Sequence, residues 1–486
     1  MTRPNRITTL VNSRFYPLLL FFISFVFVTL FSRSTSFLYV FEGADPAIFK
    51  QMGLALLRGK TLYIDYFDNK GCILYFIQAF GLWLGGDFYI LLMQAISLTF
   101  TFLIWDKILA LYRDERSRLI CLGIALFMLF CFYGAGDQTQ EWCLPFISYP
   151  LLVYFRAYKT KTEIRPFQMF FIGICFGIIT FIQINNACAF LGFIVYLWIQ
   201  YLLKKDIRKL FISIGYFFAG WIIIVIPCVL YFYIKAGWLG VNEMVYASFL
   251  SNLEYIGAQH RVKWFHWLPY SMFLLFFLIT IIFNLRKQRD FFIPILISLL
   301  LFIGTFGRLC NSFYLTALLP LCIVYMMTID LKAKLVLNIA SAICTLFLGS
   351  IEIFHFVNDL ILQNEKEIAI YENFHRCIQN IPENERDSIF NYNLFWHGYS
   401  MMQHEKLLQC NRVSLGFDLP TLKEKTSKPA SKPKWILITW NYMVKNDRLF
   451  INNYYELVDS FLYDQLYFTK PMIGKRFEVC LYQRKD

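Results

Sequence analysis

Asp65, Asp68 and Lys70 fall within six residues of one another in "YIDYFDNKGCILYFI", directly ahead of an apolar run, and Asp45 precedes them in "EGADPAIF". A carboxylate at hydrogen-bond distance from a hydroxyl can take its proton during attack, and an ammonium can neutralise an anionic oxygen. Each residue also has a plainer account. Asp45 fits the N-cap of a helix that begins at Pro46, Lys70 fits an interfacial anchor with a snorkelling stem, and Asp65 and Asp68 fit solvated turn positions. What favours chemistry is their joint occurrence in one loop of a mostly apolar chain, where acids can meet a lipid-borne substrate.

The elements that carry this stretch belong to a membrane protein. Of 486 residues, 58% are hydrophobic and 19% aromatic, which is more apolar surface than a soluble domain can bury. Candidate spans lie at about 15–34, 87–110, 117–133, 142–158, 166–183, 187–203, 209–234, 266–284, 291–306, 312–329 and 333–351, about eleven in all. The first is too long for a signal-peptide core and lacks a small-residue cleavage site, so it reads as a retained anchor. Basic clusters such as Arg113, Arg116 and Arg118, or Lys204, Lys205 and Arg208, occupy every second loop, as cytoplasmic loops do. The loops between them, "GAGDQTQE" and "QINN", hold no Lys or Arg. The net charge of +13 therefore belongs to topology and not to a nucleic-acid surface. Thirteen cysteines, mostly scattered through apolar runs, give neither metal spacing nor a disulfide framework.

The run 72–84, "CILYFIQAFGLWL", breaks the alternation. Thirteen helical residues reach about 20 Å against a hydrocarbon core of roughly 30 Å, and a crossing here would move every later basic loop outside. A re-entrant or interfacial helix is expected instead, which makes about 35–86 one external loop. Within it, "GADPAIFKQMGLALLRGK" predicts a second helix lying on the membrane, with Asp45 as N-cap, Ile48, Met52, Ala55 and Leu56 on one face and Gly59 as terminator. An odd number of spans from a cytoplasmic N-terminus leaves the C-terminal part external.

Composition divides the chain into a membrane region, 1–351, and a polar unit, 352–486. In the polar unit "NEKEIAIYENFHRCIQNIPENERD" reads as a helix and turn, while "DSIFNYN", "KWILITW" and "FEVCLYQR" read as strands. With a linker at 423–434 and a helix near 452–466, the expectation is a small soluble α/β domain that covers a cleft, helps recognise an acceptor or is purely structural.

Glu141, at the mouth of a span after a loop without basic residues, can orient a substrate or simply be an interfacial acid beside Trp142; Asp137 is a lesser candidate. The six histidines are dispersed, and no His/Cys/Asp cluster has metal-ligand spacing, so neither a cofactor nor an obligatory metal is expected.

"EGADPAIF…LLRGKTLYIDYFDNKGCILYFI", with "GR…FYLTALLPL" near Arg308, resembles the bacterial GT-C glycosyltransferases related to the protein mannosyltransferase and aminoarabinose transferase group. In those enzymes an acid at the start of the first external loop acts in catalysis, and an Asp-x-x-x-Lys-Gly-Pro-like element precedes a short apolar run. Asp45 matches the first acid; Asp68, Lys70 and Gly71 match the second element. Cys72 replaces the usual Pro, Asn69 a common His, and "CNSFY", Cys310 to Tyr314, the usual Pro-His before a Tyr. The resemblance implies a polytopic α-helical GT-C-like fold in the cell membrane and an inverting transfer from a polyprenyl-phosphate sugar, a substrate and not a cofactor, to a glycan, lipid or protein acceptor. Asp45 would then be the base, and Lys70 or Arg308, with Arg261 or Lys263, would supply charge to the leaving phosphate. Asp65, Asp68 and Glu141 would complete the pocket. The alternatives are an O-antigen polymerase or ligase, whose charged loop normally comes late in the chain, and a lipid or glycan transporter. For the transporter, Gln94, Gln183, Asn185 and Asn186 are the polar hints within spans.

Overall fold

The computed structural model describes residues 13–34, 38–39, 41–252, 264–306, 312–328, 364–392, 398–408, 433–439, 445–464 and 476–485, apart from 135, 286–287 and 388, together with single positions between 346 and 357. Along the chain the helices are α1 (Tyr16–Phe31), α2 (Ala44–Leu57), α3 (Cys72–Leu84), α4 (Asp87–Leu109), α5 (Glu115–Phe132), α6 (Thr139–Thr160), α7 (Pro166–Gln183), α8 (Cys188–Leu203), α9 (Ile207–Val245), α10 (Trp264–Leu285), α11 (Arg289–Phe306) and α12 (Leu319–Thr328). Then follow α13 (Asn364–Ile378), β1 (Ile389–Tyr392), α14 (Gly398–His404), β2 (Trp435–Thr439), α15 (Lys445–Tyr454), β3 (Tyr455–Asp464) and β4 (Arg476–Arg484). These elements fall into two compact units, Met1–Ser32, Asn69–Leu74 and Leu91–His355 in the first, and Arg33–Asp68, Tyr75–Ile90 and Phe356–Asp486 in the second.

The first unit is helical. Helices stand at ten of the eleven expected spans, the stretch 312–329 opening with a 3₁₀ segment at Ser312–Leu318; of the eleventh, 333–351, only Leu346 and Ser350 are among the described residues. Among the described residues, four segments are long and apolar enough to cross a membrane: Asp87–Leu109, Pro166–Leu203, Ile207–Leu250 and Arg289–Phe306. Gln183 is extended at φ −164° and a 3₁₀ turn follows at Ile184–Ala187, so "QINN" is a break between α7 and α8. Helix α7 packs on α9 and α8 on α11. The α7–α9 contact is backbone to backbone: a Cβ at Gly173 would lie 1.9 Å from the Phe217 carbonyl oxygen, and one at Gly220 2.0 Å from that of Phe170. Small residues of this kind let membrane helices approach closely. Helix α9 does not stop at the expected 234. It kinks at Ala236 and Gly237, the latter at φ +59° and ψ −151°, a conformation open to glycine alone, and continues to Val245 before a single π turn at Tyr246–Leu250.

The second unit contains a four-stranded sheet in the order β1-β2-β4-β3, with β1 and β2 parallel and the other pairs antiparallel. Alternation sets its faces: Trp435, Leu437, Val479 and Leu481 pack with Phe374, Ile378 and Met402 of α13 and α14, while Ile436, Ile438, Cys480 and Tyr482 pack with Ile451 of α15. The helix expected near 452–466 is corrected. Residues 455–464 form β3, paired with β4 from Tyr455↔Arg484 to Asp464↔Arg476, and a register shift between Leu457 and Asp459 interrupts the ladder. This bulge puts Tyr455 and Phe461 on opposite faces although they are six residues apart, which hides the period of two.

Phe41 belongs to the same core as α13, and α2 packs against α14. Arg33 Nη2 lies 3.1 Å from Glu367 Oε1, and Gln51 Nε2 donates to the Leu407 carbonyl at 3.1 Å. Helix α2 is therefore buried on every side from Pro46 to Gly53, where its pattern suggests one apolar face. The physical reason is its polar content: Lys50 and Gln51 sit among the apolar positions and donate inside the protein, Lys50 to Glu42 and Gln51 to the Leu407 carbonyl.

Candidate active site

In the second unit, the first turn of α2 carries Asp45. The Ala47 amide donates to the Gly43 carbonyl at 3.0 Å, so Gly43, at φ −60° and ψ 151°, is the N-cap and Asp45 is the second helical residue. The N-cap role expected for Asp45 is thus corrected: the helix starts before Pro46 because Ala44 already adopts it. Asp45 is half-buried at the positive end of α2, where the helix dipole favours a carboxylate. The helix is held by a buried ion triad. Lys50, fully enclosed, lies 2.8 Å from Glu42 Oε1 and 2.9 Å from Asp87 Oδ1 at the start of α4. Burial alone would lower the Lys50 pKa, but the two carboxylates outweigh it and raise it. Gly59 ends the helix as expected, with the Lys60 amide bonded back to Ala55 at 3.0 Å.

Asp65 is exposed, and its carboxylate accepts from the Thr61 amide at 2.7 Å, closing the turn in which Tyr63 is left-handed at φ 66°. Asp68 is 1% exposed and accepts from the Tyr75 hydroxyl at 2.7 Å; the Tyr75 ring in turn packs against Tyr63 and Phe49.

In the first unit, Lys70 is held from both sides. The carbonyl of Asn69 accepts from Asn252 Nδ2 at 2.9 Å, and the amide of Gly71 donates to the Ile182 carbonyl at 2.9 Å. A Cβ at Gly71 would lie 2.2 Å from the carbonyl carbon and oxygen of Phe181, so only glycine fits. The Lys70 ammonium donates to Asn69 Oδ1 at 2.6 Å and is part-buried. The residue pair that the sequence picked out as Lys70–Gly71 is thus a pinned cation beside an obligatory glycine at the start of α3.

Glu141 opens α6 and is 2% exposed. Its two oxygens accept from the Tyr133 hydroxyl and the Asp137 amide, each at 2.8 Å, while Trp142 Nε1 donates to Asp137 Oδ1 at 2.6 Å. Asp137 itself is left-handed at φ 53°, a conformation uncommon outside glycine and, where it persists, a pointer to function. Gln183 accepts from Thr139 and Gln140, and Asn186 donates to Cys143 Sγ at 3.5 Å. The two basic-free loops therefore meet as one buried polar cluster. Gln94 accepts from Ser32 Oγ at 3.0 Å in the same unit.

Within the first unit the structure gathers Asn69, Lys70 and Gly71 with Asn252, and Glu141 with Asp137 and Tyr133. Arg261, Lys263 and Arg308 lie outside the described residues. Sequence reasoning did not find Tyr75, Tyr133 or Asn252, since an isolated tyrosine or asparagine carries no spacing signal. Among the described residues, no group of three His, Cys, Asp or Glu side chains comes together as a metal ion requires.

No protein-family model matches the chain, and no curated protein matches it by sequence. Among solved structures, the oligosaccharyltransferase of Archaeoglobus fulgidus in its apo form is similar at a TM-score of 0.53 and 12% identity, over 93% of this chain and 74% of that one. A structure of the same enzyme in complex with Zn and sulfate gives 0.50 and 14%, over 90% and 71%. The chain shares the GT-C fold of that enzyme. At this identity the likeness concerns the fold, and what the chain does must be argued from its own side chains.

Proposed function

We propose that this protein is a membrane glycosyltransferase that moves a sugar from a polyprenyl-phosphate donor to an acceptor at the external membrane face, with inversion, as in the protein mannosyltransferase and aminoarabinose transferase group that its first loop resembles. The observation that carries the proposal is the pinned Lys70–Gly71 element at the start of α3 in a chain of this fold. In the reaction an acceptor hydroxyl attacks the anomeric carbon, the bond from that carbon to the phosphate oxygen breaks, and the phosphate leaves with the electron pair. A single displacement inverts the centre. The hydroxyl proton goes to a carboxylate, the role assigned to Asp45, which lies half-buried in the first turn of α2.

Lys70 supplies charge to the leaving phosphate; a phosphate is already a good leaving group and needs a cation more than an acid. Arg261, Lys263 and Arg308 are further candidates for that task. Asp68 is proposed to order the strand-like approach to Lys70 through Tyr75, Asp65 to close the turn before it, and Glu141 to shape the polar cluster that meets the sugar or acceptor. The parity of the basic loops supports about eleven spans, a cytoplasmic N-terminus, and a division into a membrane region at 1–351 and an external soluble domain at 352–486.

A transporter is the second reading, favoured by the buried cluster of Thr139, Gln140, Gln183 and Asn186. Purified protein incubated with polyprenyl-phosphate sugars separates the two. Transfer or slow hydrolysis of the sugar–phosphate bond supports the enzyme, and flux of intact donor without bond cleavage overturns it.

A further inference from the structure

We propose that Asn252 is the positioning residue for Lys70, an inference that rests on Lys70 meeting the donor phosphate. Asn252 is 4% exposed and follows the π turn Tyr246–Leu250, which interrupts the helical run that α9 begins. π turns interrupt the regular ladder and recur at functional sites. Here the carbonyls of the turn are taken up by side chains: Ser251 Oγ donates to Ala247 O at 2.7 Å, and Asn252 Nδ2 lies 3.1 Å from Ser248 O and 3.4 Å from Ala247 O. The shortest contact of that nitrogen, 2.9 Å, goes out of the turn to the carbonyl of Asn69. An atom facing three carbonyl oxygens must be the NH₂ of the amide, because a carbonyl there would meet only lone pairs.

The peptide that Asn252 grips is the one that enters Lys70. On the other side the Gly71 amide is fixed to Ile182 O at 2.9 Å, and the Lys70 ammonium bonds Asn69 Oδ1 at 2.6 Å. Of the two main-chain anchors, the one at Gly71 is backbone to backbone, and the one at Asn69 is made by a side chain that a substitution can remove. Without it, the Lys70 backbone must be ordered when a phosphate binds, and that ordering weakens affinity without altering the reacting groups. Asn252 acts through Lys70 and touches no substrate.

The test is binding of undecaprenyl phosphate to the purified full-length protein, for wild type, Asn252→Ala, Lys70→Ala and the double variant, with melting temperatures alongside. Asn252→Ala is expected to weaken binding about five- to tenfold, the worth of one hydrogen bond, and to have no further effect once Lys70 is alanine. Equal weakening in both backgrounds means a merely structural asparagine and overturns the inference. So does wild-type affinity in Asn252→Ala. If Lys70→Ala alone binds like wild type, the phosphate role of Lys70 falls and takes the inference with it, an outcome distinct from the failure of Asn252 alone. Should Asn252→Ala fail to fold, Asn252→Ser, which keeps one donor, is read by the same cycle.

Discussion

Gly71 has no space for even one methyl group, since its Cβ would sit 2.2 Å from the Phe181 carbonyl. Gly71→Ala must push the backbone at Gly71 away from Phe181 or break the bond to Ile182 O, and overpacking of this kind costs about 1–3 kcal/mol. The expected result is a lower melting temperature together with weakened binding of a polyprenyl phosphate; a variant with unchanged melting and binding would show that the Lys70 element tolerates displacement. At this scale the sequence was legible in residue types and opaque in partners. The carboxylate and lysine of "DNKG" stand out because charge is rare in an apolar chain. Whether Asp45 caps α2 turns on where the first helical hydrogen bond falls, and a proline at the next position misdirects that judgement because Pro46 looks like a first helical residue. Asn252 pairs with a residue 183 positions away, a separation that no local pattern reports.

Lys50 governs the placement of α2 as an element. Its ammonium is fully enclosed between Glu42 and Asp87, so Lys50→Met strands the buried Glu42 carboxylate and removes the cation beside the partly exposed Asp87. Removing one partner of a buried pair costs about 3–5 kcal/mol, a loss that thermal or urea unfolding of the purified protein would register. The pH dependence has a definite sign. The folded pKa lies above the ordinary value, so the stabilisation is complete below about pH 10.4, the unfolded range of lysine, and is lost only as pH rises through the higher folded value. Wild type should therefore hold this contribution across neutral pH, and Lys50→Met should show the deficit throughout that range. The membrane helices were readable as elements because long apolar runs between polar loops have one solution, and α7 falls at the residues its apolar run marks. Strand β3 was not readable, because its bulge cancels the alternation that identifies a strand. The close packing of α7 on α9 had a signal, "GICFG" at 173–177, in the spacing that small-residue helix contacts use.

On the scale of the whole molecule, composition separates the polar tail from the spans but not the core that segment 33–68 shares with it. The contacts that build that core, such as Arg33 with Glu367, join residues 334 positions apart. The proposed topology, argued from the alternation of basic loops, puts residues 352–486 on the external side. Leu462→Cys, at an exposed position of β3, should react with a membrane-impermeant maleimide on intact cells, above the background of native cysteines, and Lys204→Cys only after lysis. The opposite pattern would invert the topology. The assignment as a glycosyltransferase is tested most directly by sugar transfer from radiolabelled polyprenyl-phosphate donors in membranes carrying wild type, Asp45→Asn or Lys70→Ala, with expression and melting temperature measured in parallel. A base in that role contributes about 10²–10⁴ in rate, so Asp45→Asn should fold and bind donor yet lose turnover by that factor, and Lys70→Ala should bind donor weakly. Well-folded variants that both transfer sugar at the wild-type rate would contradict the account, leaving Asp45 a helix-end charge and Lys70 an anchor.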